Sequence, residues 1–268
     1  MSDLGLTGGV LRGARDEGRA ALITYLPVGF PSVAGSLDAL RIVAQAADLV
    51  EIGLPYSDPM MDGTTIQHAT TKALARGVRT RDVFAAAEAV ASVGKRAVVM
   101  SYWNLIERYG VDAFVRDLAA SGGAGLITPD LTPDEADEWL AASDEHGLDR
   151  VFLIAPSSTD ERIRYTMDAC RGWVYATSVM GVTGTRAATS DAAPVIVQRA
   201  RAQSDLPVGV GLGVSNGDQA ASVASYADGV IVGSALVRCL LEDEGPGGLA
   251  HLERVVTDLA DGVRRPRG

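Results

Sequence analysis

The chain has 268 residues, of which 47% are hydrophobic and 22% charged, and its formal net charge is -10. This is ordinary globular composition, and the acidic balance excludes a nucleic-acid partner, which requires clustered Lys and Arg. No apolar run reaches the roughly 20 residues needed to cross a bilayer, and the N-terminal stretch is too polar and too broken by glycine for a signal peptide. A cytoplasmic protein with no membrane association is therefore expected.

In chain order, a leading helix is expected over residues 4–17. Short apolar runs follow at residues 20–26, 49–52, 96–101, 124–128, 150–154, 172–177, 207–211 and 228–232. Most are near-continuous in Val, Ile, Leu and Ala, as strands of a parallel sheet covered on both faces must be. Between them, helical periodicity runs over residues 33–46, 64–75, 81–92, 111–120, 134–146, 159–170, 192–201 and 218–226, and residues 254–265 close the chain as a last outer helix. Eight strands alternating with helices predict a (β/α)8 barrel of the TIM type, α/β in class, with the extra N-terminal helix against its bottom. The chain contains no linker or low-complexity segment, so residues 1–268 read as one barrel domain. A doubly wound open sheet is the rival, and it lacks a G-x-G-x-x-G after the first strand. Cys170 and Cys239 have neither CxxC nor metal-ligand spacing, so both read as plain thiols and no metal site is expected.

Barrel enzymes keep their chemistry at the C-terminal ends of the strands. The second strand end is the most informative, because Glu51 interrupts an apolar run and Asp58 and Asp62 follow in the loop. A buried acid is costly unless paired or used. Desolvation should raise the pKa of Glu51 towards that of a neutral-pH proton donor, while an aspartate in a wetter loop stays ionised. The competing readings are a buried ion pair for Glu51, a loop cap for Asp62 and plain turn chemistry for Asp58. The ends of strands six, seven and eight are rich in Gly, Ser and Thr, including Gly181, Thr183 and Gly184, then Gly211, Gly213 and Ser215, then Gly233 and Ser234. Glycine-lined backbone amides beside a helix N-terminus suit a phosphate group.

The stretch Glu51-Ile52-Gly53-Leu54-Pro55-Tyr56-Ser57-Asp58-Pro59-Met60-Met61-Asp62-Gly63 closely resembles the signature of the tryptophan synthase alpha-subunit family. Further matching pieces are Tyr25 with Gly29-Phe30-Pro31, Met100-Ser101-Tyr102-Trp103-Asn104, Thr128-Pro129-Asp130-Leu131, Tyr175 and the three glycine-rich strand ends. The resemblance implies retro-aldol cleavage of indole-3-glycerol phosphate to indole and glyceraldehyde 3-phosphate. It implies that Glu51 is the general acid/base and that Asp62 is the carboxylate facing the indole N–H. It also implies that Tyr102, Tyr175 and Thr183 contact substrate, with Thr183 helping to orient Asp62, and that Gly184, Gly213, Gly233 and Ser234 hold the phosphate.

The family implies a partner as well, a beta subunit in an α2β2 complex that receives indole for L-tryptophan synthesis. Pyridoxal phosphate is expected on that subunit and no cofactor on this chain. Residues 55–61 and the segment from Tyr102–Asn104 to Leu131 match the docking surface. Thr64 and Thr132 stand where many relatives carry proline, which bears on loop order. A stand-alone lyase releasing free indole, and a catalytically silent barrel kept as a binding partner, are the alternative readings.

Overall fold

The computed structural model describes residues 4–177, 192–211 and 213–265. Its strands are β1 (Ala21–Pro27), β2 (Leu49–Gly53), β3 (Arg96–Met100), β4 (Gly125–Ile127), β5 (Asp149–Val151), β6 (Leu153–Ile154), β7 (Val174–Thr177), β8 (Val208–Gly211) and β9 (Gly229–Val232). All pair in parallel, in the order β5-β4-β3-β2-β1-β9-β8-β7-β6. The two ends of that order, β5 and β6, are consecutive pieces of one strand interrupted at Phe152. The sheet therefore curls round to meet itself, and the eight expected strands make an eight-fold barrel whose fifth strand is split.

Twelve α-helices are described. They are α1 (Gly8–Asp16), α2 (Val33–Ala46), α3 (Thr64–Ala75), α4 (Asp82–Ala91), α5 (Trp103–Tyr109), α6 (Val111–Ala120), α7 (Asp137–His146), α8 (Asp160–Ala169), α9 (Ala192–Gln203), α10 (Gly217–Ala224), α11 (Ser234–Glu242) and α12 (Pro246–Val263). Local chemistry fixes several starts: the side chains of Ser32, Thr159 and Asn216 accept from the backbone amides three residues on and cap α2, α8 and α10. The expected helix over residues 134–146 is instead a 3-10 turn at Pro133–Glu135 followed by α7. No helix among the described residues is long and apolar enough to cross a membrane.

Strand geometry sends alternate side chains inward. Ala21, Ile23, Leu49, Val98, Ile127, Val151, Trp173 and Ile231 fill the lower barrel, and Leu11 and Ala14 of α1 complete that cluster from below. One step up each strand the inward positions are Tyr25, Glu51, Met100, Leu153 and Tyr175. The outward faces form a second, larger core against the helices. Below the barrel, the buried Asp149 accepts from Leu6 N at 2.9 Å, Thr7 N at 2.6 Å and Thr7 Oγ1 at 2.5 Å, which fixes the approach to α1. The lower end is thus closed by the chain's own N-terminal helix.

Leu11 is fully buried in that closure. Leu11→Ala should lower the unfolding free energy by about 2–5 kcal/mol in urea titrations, because the plug is too constrained to collapse into the space left.

Candidate active site

The upper end of the barrel is built from β1, β2, β3 and their loops on one side and β7, β8 and β9 on the other. Glu51 sits at the middle of β2, in register with Tyr25 of β1 and Val98 of β3. Three acids, Glu51, Asp149 and Asp228, are buried to 1% exposure or less among the described residues. Asp149 is satisfied by the amides and hydroxyl at the start of α1. Asp228 accepts from Val208 N at 3.0 Å and from the Arg201 guanidinium at 2.9 Å. Glu51 differs from both: its Oε2 is buried with no hydrogen-bond partner, and none of the ion pairs found reaches it. Among the described residues, nothing supplies Glu51 with the ion pair of the competing reading.

Burial raises the Glu51 pKa from 4.5 to about 8, with the negative charge of Asp62 adding to the effect. The sequence predicts an ordinary loop carboxylate at Asp62. Burial instead raises it from 3.8 to about 6. The loop before it folds down over the barrel mouth, and Tyr102 is the reason. The Tyr102 hydroxyl accepts from Met60 N and Met61 N, each at 3.0 Å, and Gln67 Nε2 donates to the Asp62 carbonyl at 2.7 Å. Tied on both sides, Asp62 is held where solvent reaches it only in part. The two carboxylates titrate as neighbours, with the deeper one protonated at neutral pH and the shallower one largely ionised.

Tyr25 and Tyr175 complete the walls. The phenols of both are pushed far above 10, first by burial and then by the charges of Glu51 and Asp62. Each ring lies over a glycine. A Cβ on Gly53 would overlap the Tyr25 hydroxyl, and a Cβ on Gly211 would overlap that of Tyr175. Below, Tyr175 stacks on Trp173 at 5.9 Å between ring centroids. Among the described residues the walls are therefore aromatic and uncharged apart from the two acids, an environment for a flat apolar ring with one polar edge.

On the opposite rim, Gly213 follows β8 with φ +66°, a left-handed conformation that glycine adopts without strain. Gly233 and Ser234 join β9 to α11, whose first turn has no side-chain cap, leaving its N–H groups directed at the mouth. Thr183 and Gly184 lie outside the described residues.

The loops after β2, β3 and β4 are knitted to one another. Tyr56 packs on Tyr102 at 4.9 Å, Asn104 Nδ2 donates to the Tyr56 hydroxyl at 3.1 Å, and Trp103 N donates to Asp130 at 2.9 Å. Met60 stands 67% exposed on this surface. Asp58 is exposed and accepts from Ser57 Oγ at 2.6 Å, which is turn chemistry. His68 is exposed on α3, away from the acids. Both cysteines are free and buried. Tyr25 is the site residue that sequence patterning does not single out. Its signal is positional, two residues beyond inward-facing Ile23 and level with Glu51.

Comparison with known proteins converges on one family. The profile of the tryptophan synthase alpha chain family matches residues 11–263. The tryptophan synthase alpha chain of Mycobacterium avium is 60% identical over 259 residues, covering 96% of this chain and 94% of its own. A structure of Mycobacterium tuberculosis tryptophan synthase superposes with a TM-score of 0.91 at 59% identity, covering 96% of this chain and 97% of the other. A mutant form of the more distant alpha subunit of Pyrococcus furiosus superposes with a TM-score of 0.83 at 32% identity, covering 90% of this chain and 98% of its own. The chain belongs to the tryptophan synthase alpha chain family.

Proposed function

We propose that this chain cleaves indole-3-glycerol phosphate, a carbon–carbon lyase reaction, with Glu51 as the proton donor and Asp62 as the charge partner of the indole nitrogen. The observation that carries the reading is the buried carboxyl of Glu51, its inner oxygen without a partner, held protonated up to about pH 8. Its proton goes to C3 of the indole ring, which places positive charge on the ring nitrogen. Asp62, ionised above about pH 6, accepts the N–H and offsets that charge. The Glu51 carboxylate, now a base, takes the proton of the glycerol hydroxyl beside C3. The C–C bond then breaks, its electron pair returns to the ring, and indole and glyceraldehyde 3-phosphate result. Tyr102 and Tyr175 wall the ring and the glycerol portion. Gly213, Gly233 and Ser234, together with Gly184 and a Thr183 that orients Asp62, hold the phosphate end and close the site.

The chain uses no cofactor of its own in this scheme. Its partner is a beta subunit in an α2β2 complex, carrying pyridoxal phosphate and converting the indole to tryptophan in the cytoplasm. The knitted loops after β2, β3 and β4, with Met60 projecting, supply the docking surface, and the Tyr102 clamp links that surface to Asp62. One barrel domain, residues 1–268, carries the whole arrangement.

Glu51→Gln should abolish indole release while leaving the circular dichroism spectrum and beta-subunit binding unchanged; substantial residual cleavage would remove Glu51 from its role. Asp62→Asn should be severely impaired as well, because an amide carries no charge to set against the nitrogen. Indole release measured with and without added beta subunit separates a subunit from a stand-alone lyase, since only a subunit is slow alone and strongly activated in complex.

The pH profile of kcat/KM should be bell-shaped, rising as Asp62 ionises near about 6 and falling as Glu51 deprotonates near about 8. Stability should follow Glu51 with the opposite sign from a salt-bridged acid. The folded pKa of about 8 exceeds the ordinary 4.5, so the folded state holds the proton more tightly and loses stability as pH rises between those values. Glutamine has nothing to ionise. The Tm advantage of Glu51→Gln over the parent should therefore grow from pH 4.5 to about 8 and level off above.

A further inference from the structure

Among the described residues, the upper barrel contains a polar group without a partner that the scheme above leaves idle. Tyr25 is 6% exposed, faces inward from β1 level with Glu51, and carries its hydroxyl over Gly53, two residues beyond Glu51 on the same face of β2. That hydroxyl makes no hydrogen bond among the described residues, and its neighbour on the next strand is the buried Glu51, whose Oε2 also makes none. A buried carboxyl oxygen without a partner is rare unless the group changes state during function, and the Tyr25 hydroxyl beside it is free to donate.

We propose that Tyr25 is a positioning residue for the proton donor: its hydroxyl donates to the Glu51 carboxylate that forms once the proton has left for the indole carbon. This inference rests on the assignment of Glu51 as that donor. Before transfer, Glu51 is neutral and needs no donor. After transfer, it is an anion in an apolar cavity close to a second anion, Asp62, and a neutral O–H is the partner such a carboxylate requires.

The groups facing Glu51 narrow the choice. Among the described residues they are Tyr25 from β1, Asp62 from the loop after β2 and Tyr175 from β7, while Met100 and Leu153 are uncharged. Asp62 cannot donate while ionised. The Tyr102 hydroxyl, held by two loop amides, feels the charges of Asp62 and Asp130 and not that of Glu51. Tyr175 leans over Gly211 on the phosphate side. Tyr25 and Tyr175 remain among the described residues, and of the two only Tyr25 stands in register with Glu51 on the adjacent strand; burial keeps its phenol un-ionised, so it remains a donor throughout the working range. The absence of a side chain on Gly53 is what leaves room for the hydroxyl on this side of β2.

The test is Tyr25→Phe in the complete complex with the beta subunit, read as a pH profile of kcat and KM for indole release. Phenylalanine keeps the ring and its packing. Loss of a hydrogen bond to a charged group corresponds to roughly a 10- to 100-fold fall in kcat, with KM little changed. The basic limb should move above pH 8, because a carboxylate without its donor forms less readily. Replacement of Tyr25 by 3-fluorotyrosine, a stronger donor of nearly the same shape, should move the limb the other way. A ring that only packs would leave both limbs in place, and unmoved limbs in the two variants would overturn the proposal. If Glu51→Gln retains activity, the donor assignment itself falls; if Glu51→Gln is inactive while the Tyr25 variants keep normal profiles, only the role of Tyr25 falls.

Discussion

A carboxyl group buried in an apolar barrel with neither a counter-ion nor a hydrogen bond to its inner oxygen among the described residues is the constraint from which the upper half of this molecule takes its form. Charging Glu51 in place is unfavourable, so the group stays protonated near neutrality, and everything around it preserves that condition. Tyr25 and Tyr175 exclude water with aromatic surface, and the Tyr102 clamp draws Asp62 close enough to add its own repulsion. None of the ion pairs found brings a Lys or Arg into the balance at Glu51. A cation placed there would stabilise the fold and remove the acid. Burial keeps a proton on Glu51 at pH 7, the state that the proposed donor role requires.

The lower half solves the opposite problem. Asp149 and Asp228 are as deeply buried as Glu51, yet each is surrounded by backbone amides, a hydroxyl or a guanidinium, and each fastens one segment to another. The same residue chemistry serves anchoring at one end of the barrel and, in the proposed reaction, proton donation at the other. The difference lies entirely in which donors the chain brings within reach. The plug formed by α1 makes this separation possible, since a closed floor lets the mouth alone admit substrate and water.

Most of the architecture was legible in the sequence because strand and helix periods differ so sharply in a parallel barrel. α2, α3 and α6 begin and end where their apolar period does. The break in the fifth strand at Phe152 was not legible: the residue is as apolar as its neighbours, and a ladder that lapses for one position leaves no mark in composition. The short helix α5 follows a motif read as a strand end and is only seven residues long, too few for a period to emerge. Glu51 stood out because charge inside an apolar run is conspicuous. The raised pKa of Asp62 did not, because its loop is polar in sequence and is covered only by a tyrosine from beyond a different strand. Tyr25 entered only as a piece of the family resemblance and without a role, since an aromatic residue in a buried strand is unremarkable until its level relative to Glu51 is known.

The pairing of Tyr25 with Gly53 has an evolutionary reading. The ring occupies the volume that any side chain at position 53 would claim, so the two positions cannot drift independently. A mutation that enlarges position 53 is admissible only in a background where position 25 has shrunk or turned aside, and that background has surrendered the hydroxyl. Substitution paths through this part of the barrel therefore have an order. The volume constraint therefore fixes a tight steric lock in the wall on the residue whose backbone is level with Glu51.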